Sequence, residues 1–216
     1  MQQYEDDLSG SPAEEYLANR RGLNLQEISH LHLGYVGEPL LGHEMYRGML
    51  AIPYIRSTDD KKGVVVSIRY RCIEEKCGAW QDEEKENHNG HGKYNTESGD
   101  RPRLYNTVAL LQPVDNVAIT EGELDTVTAQ LCGIESVGVP GATSWQPHFR
   151  EPFLGYETVW VLADGDDAGM RFARVVAESL PNARIVPMPE GDDVNSLYVR
   201  DGVNALRERI GIDDDA

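Results

Sequence analysis

Three acidic clusters in the second half of the chain have the residue types and spacing to hold a divalent cation. They are Glu121 with Asp125 in ITEGELD, Asp164 with Asp166 in VLADGDDAG, and Asp192 with Asp193 in PEGDDVNSL. At an extended strand end, positions i and i+2 face the same way, so Asp164 and Asp166 should converge on one point. Glu121 is expected to open a helix, with Asp125 one turn further along on the same side. Converging carboxylates repel one another at neutral pH, and no lysine follows Lys93 to relieve them. Hard oxygen donors of this kind select Mg²⁺ or Mn²⁺. Each cluster taken alone also reads as a helix N-cap, favoured by the helix dipole. Three clusters at three strand ends of one sheet favour the cation. In that reading Asp167 separates from the pair, either as a cap of the following helix or as a group set back from the metal, and Gly169 lets the helix start close to the metal.

The elements that must position these acids alternate. VDNVAIT, IESVGVP, YETVWVLAD and ARIVPMP read as strands, and ELDTVTAQLCG, AGMRFARVVAESL and VNALRERIG as helices. Strands alternating with helices imply a parallel sheet covered on both faces, with ligands at the carboxyl ends of its strands. The first half has a different texture. SPAEEYLANRRGL offers Ser11 as N-cap, Pro12 at the first helical position, Glu14 in the capping-box position and Gly22 as the stop. A short helix is expected through LQEISH, then a hairpin of MLAIPYI and GVVVSIRYRCI around STDDKKG. Residues 74–101 are polar throughout and read as a long loop or insertion, after which LYNTVALL resumes order. The division expected is a mixed α+β part over 1–112, an α/β domain over 113–200, and a C-terminal helix with an acidic tail over 201–216.

Charge sharpens that division. Residues 1–46 carry two basic against eight acidic side chains, residues 47–103 eleven against ten, and residues 104–216 seven against nineteen. A net charge of −17 argues against nucleic-acid binding by the chain as a whole, because phosphate contacts need Lys and Arg. The middle third is where such contacts could come from. With 216 residues, 40% of them hydrophobic, a sizeable core is affordable, and no apolar run is long enough to span a bilayer. The start MQQYEDDLSG lacks the order of a signal peptide, and three cysteines fit a reducing cytoplasm. Cys72, Cys77, His88 and His91 form C-x4-C-x10-H-x2-H, four zinc-competent ligands in a spacing that matches no common finger.

In order and spacing, ITEGELD, VLADGDDAG and PEGDDVNSL resemble the EG…D, DxDxxG and late acidic motifs of a Toprim domain, the metal-binding fold of DnaG-like primases, type IA and II topoisomerases and some nucleases. The resemblance makes Glu121, Asp164 and Asp166 the catalytic acids, with Asp125 and Asp193 joining them around the metal. Asn195 stands where many relatives carry a second aspartate. Upstream, RGMLAIPYI, GVVVSIRYR, GHGKYNT and RPRLYN resemble the basic subdomain that precedes Toprim in bacterial-type primases, and AEEYLANRRGL with LHLGY resembles its start. By match, Arg69, Arg71, Lys93, Tyr94 and Asn95 lie along the template and nucleotide groove, with Arg47, Arg101 and Arg103 as additions. The fold implied is an α/β Toprim domain, a mostly parallel sheet flanked by helices, preceded by a smaller mixed α+β basic subdomain.

The resemblance implies a primase catalytic core that makes short RNA primers by metal-dependent nucleotidyl transfer, of a minimal kind like those of bacteriophages. Its partners would be a single-stranded DNA template, ribonucleoside triphosphates, a replicative helicase, and a zinc-binding template-reading domain in trans. A Toprim nuclease would use the same carboxylates for cleavage, and a catalytically silent nucleic-acid-binding or helicase-loading subunit remains open. A haloacid-dehalogenase-like module is disfavoured, since it needs a lysine on a later strand.

Overall fold

The computed structural model describes residues 1–58, 63–74 and 91–212, which fall into two compact units. One comprises Met1–Tyr54 and Gly63–Arg101, the other Ile55–Lys62 and Pro102–Ala216. No helix among the described residues is long and apolar enough to cross a membrane.

In the first unit, helices α1 (Gln2–Asp6), α2 (Pro12–Arg21) and α3 (Leu25–Ile28) precede a sheet of β1 (Gly34–Tyr35), β2 (Leu50–Ser57), β3 (Gly63–Arg71) and β4 (Tyr94–Thr96), in the order β1-β2-β3-β4. The Ser11 hydroxyl accepts from the N–H groups of Ala13 and Glu14, satisfying two of the orphan donors at the start of α2. Glu14 accepts from the N–H of Gly10, one residue ahead of the capping-box partner expected for it. The helix ends at Gly22, whose φ of 63° suits a residue without Cβ. The polar stretch 74–101, expected as a loop, contains β4, which pairs antiparallel with the end of β3 through Arg69↔Thr96 and Arg71↔Tyr94. Tyr4, Val36, Tyr46, Met49, Ala51 and Tyr70 form the core of this unit. The Tyr46 and Tyr70 rings stack 3.8 Å apart.

The second unit is a parallel sheet of β5 (Asn116–Thr120), β6 (Ser136–Gly138), β7 (Thr158–Ala163) and β8 (Ala183–Pro187), ordered β6-β5-β7-β8. Helices α4 (Glu123–Leu131), α5 (Asp167–Ser179), α6 (Val194–Asp201) and α7 (Val203–Ile210) connect and cover it. Both faces are buried, which is why its strands read as nearly continuous apolar runs. Val117, Ile119, Val159 and Val161 pack with Phe172, Ala173 and Val176 of α5 on one face. Ala118 and Leu162 pack with Ala129 of α4, Leu197 of α6 and Leu206 of α7 on the other. Order resumes after the polar stretch as expected, with a 3-10 turn over 107–111, and Tyr105 just before it bridges Gly138 of β6.

Because α4 and α5 cover opposite faces while β5 and β7 are neighbours, the chain reverses direction across the sheet between those two strands. A crevice opens at the carboxyl ends of strands at such a switch point. Thr120 pairs with Leu162 in the register, so the residues that follow β5 and β7 emerge side by side.

Candidate active site

Glu121 and Asp164 are the residues that emerge there. Asp164 follows the last residue of β7 directly, and Glu121 follows the last residue of β5. Glu121 does not open a helix: α4 begins at Glu123 with Gly122 as its N-cap, so Glu121 lies ahead of it. One carboxylate oxygen of each residue, Oε2 of Glu121 and Oδ1 of Asp164, is cut off from solvent and finds no hydrogen-bond partner. A buried acceptor in that condition costs its desolvation energy with nothing in return. Burial pushes the Asp164 carboxyl up to about 8, reinforced by the charges of Asp125, Glu121, Asp193 and Asp166. Glu121 is also raised, by burial first and then by Asp166, while the N–H of Ala142 works in the opposite direction.

The other acids are each held by a helix start. Asp166, rather than the expected Asp167, is the N-cap of α5, with Oδ1 accepting from the N–H of Gly169 at 2.7 Å. Asp167 is the first helical residue and is exposed. Asp193 caps α6 through a reciprocal box, its Oδ1 accepting from the N–H of Ser196 at 2.6 Å while its own N–H donates to the Ser196 hydroxyl at 2.7 Å. Asp125, in the first turn of α4, accepts from the N–H of Asn195 at 3.2 Å. Asp192 is paired with Arg200 on the outside of α6. Cap and cation readings therefore coexist, with Asp166 and Asp193 each committing one oxygen to a helix.

Two glycines let the acidic loops close on one another. A Cβ on Gly165 would stand 1.8 Å from the Pro189 carbonyl oxygen, and one on Gly169 would stand 2.5 Å from the carbonyl oxygen of Asp164. The N–H of Gly165 donates to Asp192 and the N–H of Gly191 donates back to Gly165, which ties the β7 loop to the β8 loop.

Does this set fit a divalent cation? The donors are all carboxylate oxygens, two of them buried and unpartnered, and every group that raises the Asp164 carboxyl besides burial is another carboxylate. That is the donor chemistry of a hard cation, and the residues fit one. Among the described residues no three His, Cys, Asp or Glu side chains are drawn together into a finished cage. The acids are near enough to raise the proton affinity of Asp164 and Glu121 without closing on one point. The zinc expectation falls largely outside the described residues, which exclude Cys77 and His88; Cys72 is buried beside β4, its N–H bonded to the Lys93 carbonyl.

The basic residues of the first unit divide by exposure. Arg71 is only 4% exposed. Its Nε donates to the Tyr16 hydroxyl at 2.9 Å and its Nη1 donates to the Tyr94 hydroxyl. Burial works against its charge, and the Tyr94 and Tyr16 oxygens outweigh that effect. Tyr94 is flanked by two guanidiniums, with the Arg69 and Arg71 carbons 4.5 and 4.7 Å from its ring centre. Tyr16 also accepts from Nε of Arg21 at 2.8 Å. Arg47 is exposed, donates to the Gly37 carbonyl and pairs with Glu38 at 3.1 Å. Lys93 and Arg101 are exposed, and the Asn95 amide donates to the Gly92 carbonyl at 2.8 Å; Arg103, also exposed, belongs to the second unit. Tyr16 and Arg21 carry no sequence signal of this role, since the partner that joins them to the site, Arg71, is 55 residues from Tyr16 along the chain.

Comparisons with known proteins agree with this architecture. A family model described as Toprim-like matches residues 118–198. The chain is 56% identical over 166 residues to the Gene 57 protein of Mycobacterium phage D29, covering 77% of this chain and 100% of that protein. It is 30% identical over 115 residues to the DNA primase of Pseudomonas aeruginosa, a match over 50% of this chain and 17% of that primase. In fold it is similar to a DnaG primase catalytic domain solved bound to single-stranded DNA, with a TM-score of 0.69, 22% identity, and coverage of 97% of this chain and 77% of that one. The chain therefore belongs to the family of the phage Gene 57 protein, carries a Toprim-like segment over its acidic loops and shares the fold of DnaG primase catalytic cores.

Proposed function

We propose that the chain is the catalytic core of a DNA-directed RNA primase, which joins ribonucleotides on single-stranded DNA with Mg²⁺ or Mn²⁺. The observation that carries this reading is the pair of buried, unpartnered oxygens of Glu121 and Asp164 at the ends of adjacent parallel strands. A bound cation would supply Lewis-acid stabilisation of the phosphoryl oxygens and of the departing pyrophosphate. Asp164 and Asp166 would hold it, Glu121 would hold it with them or take the 3′-hydroxyl proton, and Asp125 and Asp193 would complete its surroundings. The 3′ oxygen of one nucleotide bonds to the α-phosphorus of the next as the bond to pyrophosphate breaks. Glu121, its proton affinity raised by burial, is suited to receive the 3′-hydroxyl proton.

The exposed cations Lys93, Arg101, Arg103 and Arg47, with the half-buried Arg69, supply phosphate contacts to template and triphosphate. Tyr94 and Asn95 contribute to the same groove. Arg71 belongs there as well, acting through Tyr94. Likeness to a DnaG domain solved with single-stranded DNA, and to a primase many times longer than the match, supports a template of that kind and further modules in trans. A replicative helicase and a zinc-binding template-reading domain are the partners this reading calls for, in the host cytoplasm.

The test is primer synthesis from ribonucleoside triphosphates on single-stranded DNA with Mg²⁺ or Mn²⁺, with helicase and zinc-domain partners added. Synthesis that disappears in Asp164→Ala supports the reading. Cleavage without synthesis would establish a nuclease instead. Binding with neither activity would establish a silent subunit.

A further inference from the structure

We infer that Asn195 is a positioning residue for the acidic site, whose buried amide locks α6 onto α4 and so holds Asp125 in place beside Asp164. Asn195 is 1% exposed, so its amide must find partners inside the protein. The Nδ2 group donates to the Thr128 hydroxyl at 2.9 Å. That hydroxyl gives its own proton to the Leu124 carbonyl at 2.8 Å, which leaves its oxygen turned to accept from Asn195. One residue thus grips α4 twice, one turn apart: the side chain on Thr128 and the backbone N–H on the Asp125 carboxylate. On either side Val194 and Leu197 are buried in the core, so the start of α6 has little freedom to shift once the amide is bonded.

This arrangement also accounts for the departure from the family pattern at this position. A carboxylate in place of the amide would turn an oxygen, rather than the Nδ2 donor, toward a Thr128 hydroxyl whose proton is already committed to the Leu124 carbonyl. Position 195 faces the α4–α6 contact, and the acid that serves the site from this loop is Asp193, two residues earlier at the mouth of the helix. The sequence trades a possible ligand for a latch.

The inference rests on the cation reading for its consequence, though the latch itself can be tested in the metal-free protein. Carboxyl ¹³C resonances and Mn²⁺ affinity by electron paramagnetic resonance are the two measurements. Asn195→Ala and Thr128→Val should each move the Asp125 carboxyl resonance, leave that of Glu121 in place, and weaken Mn²⁺ binding about 10-fold. The double variant should bind no worse than either single one, because both remove the same bond. Thr128→Ser, which keeps the hydroxyl, should bind as the unmutated protein does. Variants that melt earlier but leave both the Asp125 resonance and the Mn²⁺ affinity unchanged would overturn the inference and reduce the contact to packing. If the unmutated protein binds no Mn²⁺, the cation reading fails, and the Asp125 resonance still decides whether the latch exists.

Discussion

The two charged clusters of this protein solve opposite problems. In the first unit a buried guanidinium, Arg71, is closed by the protein itself: Tyr16 and Tyr94 accept from it, and the neighbouring Arg69 and Arg21 pack against the same two rings. In the second unit the carboxylates of Glu121 and Asp164 are left open, each with a buried oxygen that has no partner and with like charges around it. A self-satisfied cluster rigidifies a surface, whereas an unsatisfied one awaits something from outside. The contrast separates the two clusters: Arg71 is satisfied within the protein, whereas Glu121 and Asp164 each keep an unpartnered oxygen that a cation, on the function proposed above, would complete.

The largest effect that could break this comparison is on chemistry. Asp164→Ala should lower primer synthesis by about 10³-fold, the order expected when a transition-state charge stabiliser is lost, while single-stranded DNA binding by fluorescence anisotropy stays largely intact. A fall in DNA binding as large as the fall in synthesis would mean that the acidic cluster is scaffold too. Next comes Arg71→Met, which removes a donor shared by the Tyr16 and Tyr94 hydroxyls and the charge that packs on their rings. It should destabilise the first unit by about 2–4 kcal/mol in denaturant unfolding, without changing Mn²⁺ affinity.

A third effect concerns pH. The Asp164 carboxyl, pushed up to about 8 by burial and then by Asp125, Glu121, Asp193 and Asp166, keeps its proton in the folded chain where an unfolded chain has lost it. The folded state then holds more protons, so metal-free stability should fall as pH rises from about 4 to about 8. Asp164→Asn should flatten that decline in melting temperature. Saturating Mg²⁺ at pH 8 should raise the melting temperature of the unmutated protein, by about 2–4 °C for each kcal/mol recovered. A variant that declines as steeply as the parent would place the strain elsewhere. The smallest effect is expected at Arg47, whose exposed pair with Glu38 is worth about 0–1 kcal/mol. Arg47→Ala should leave the melting curve nearly unchanged and, if it reaches phosphate, lower the salt slope of DNA binding by about 1.

Much of the second unit is legible in its sequence. Val117, Ile119, Val159 and Val161 alternate with Ala118 and Leu162, marking strands buried on both faces, and each strand is followed by a helical pattern. The acids at the strand ends follow from that order. Their division of labour does not. Asp166 and Asp167 are neighbours of one type, and which of them caps α5 depends on the angle at which the chain leaves β7, set by Gly165 against Pro189 and Gly169 against Asp164. In the first unit less is legible, because its pairings are local only in part. Tyr94 lies in a polar stretch with few core-forming residues, and β4 forms because β3 supplies an edge to pair with.

The sequence by itself determined the fold class of the acidic half and the placing of its carboxylates at strand ends, since periodicity and strand-end acids are properties of short windows. Only the tertiary structure decided which charges are spent inside the protein. Arg71 is held by Tyr16 from a helix 55 residues away, Asn195 by Thr128 from one 67 residues away, and one carboxylate oxygen each of Glu121 and Asp164 is left without a partner where two strands happen to lie side by side. The physical reason is that burial and hydrogen-bond satisfaction depend on what approaches from elsewhere in the chain, and no window of the sequence contains both partners.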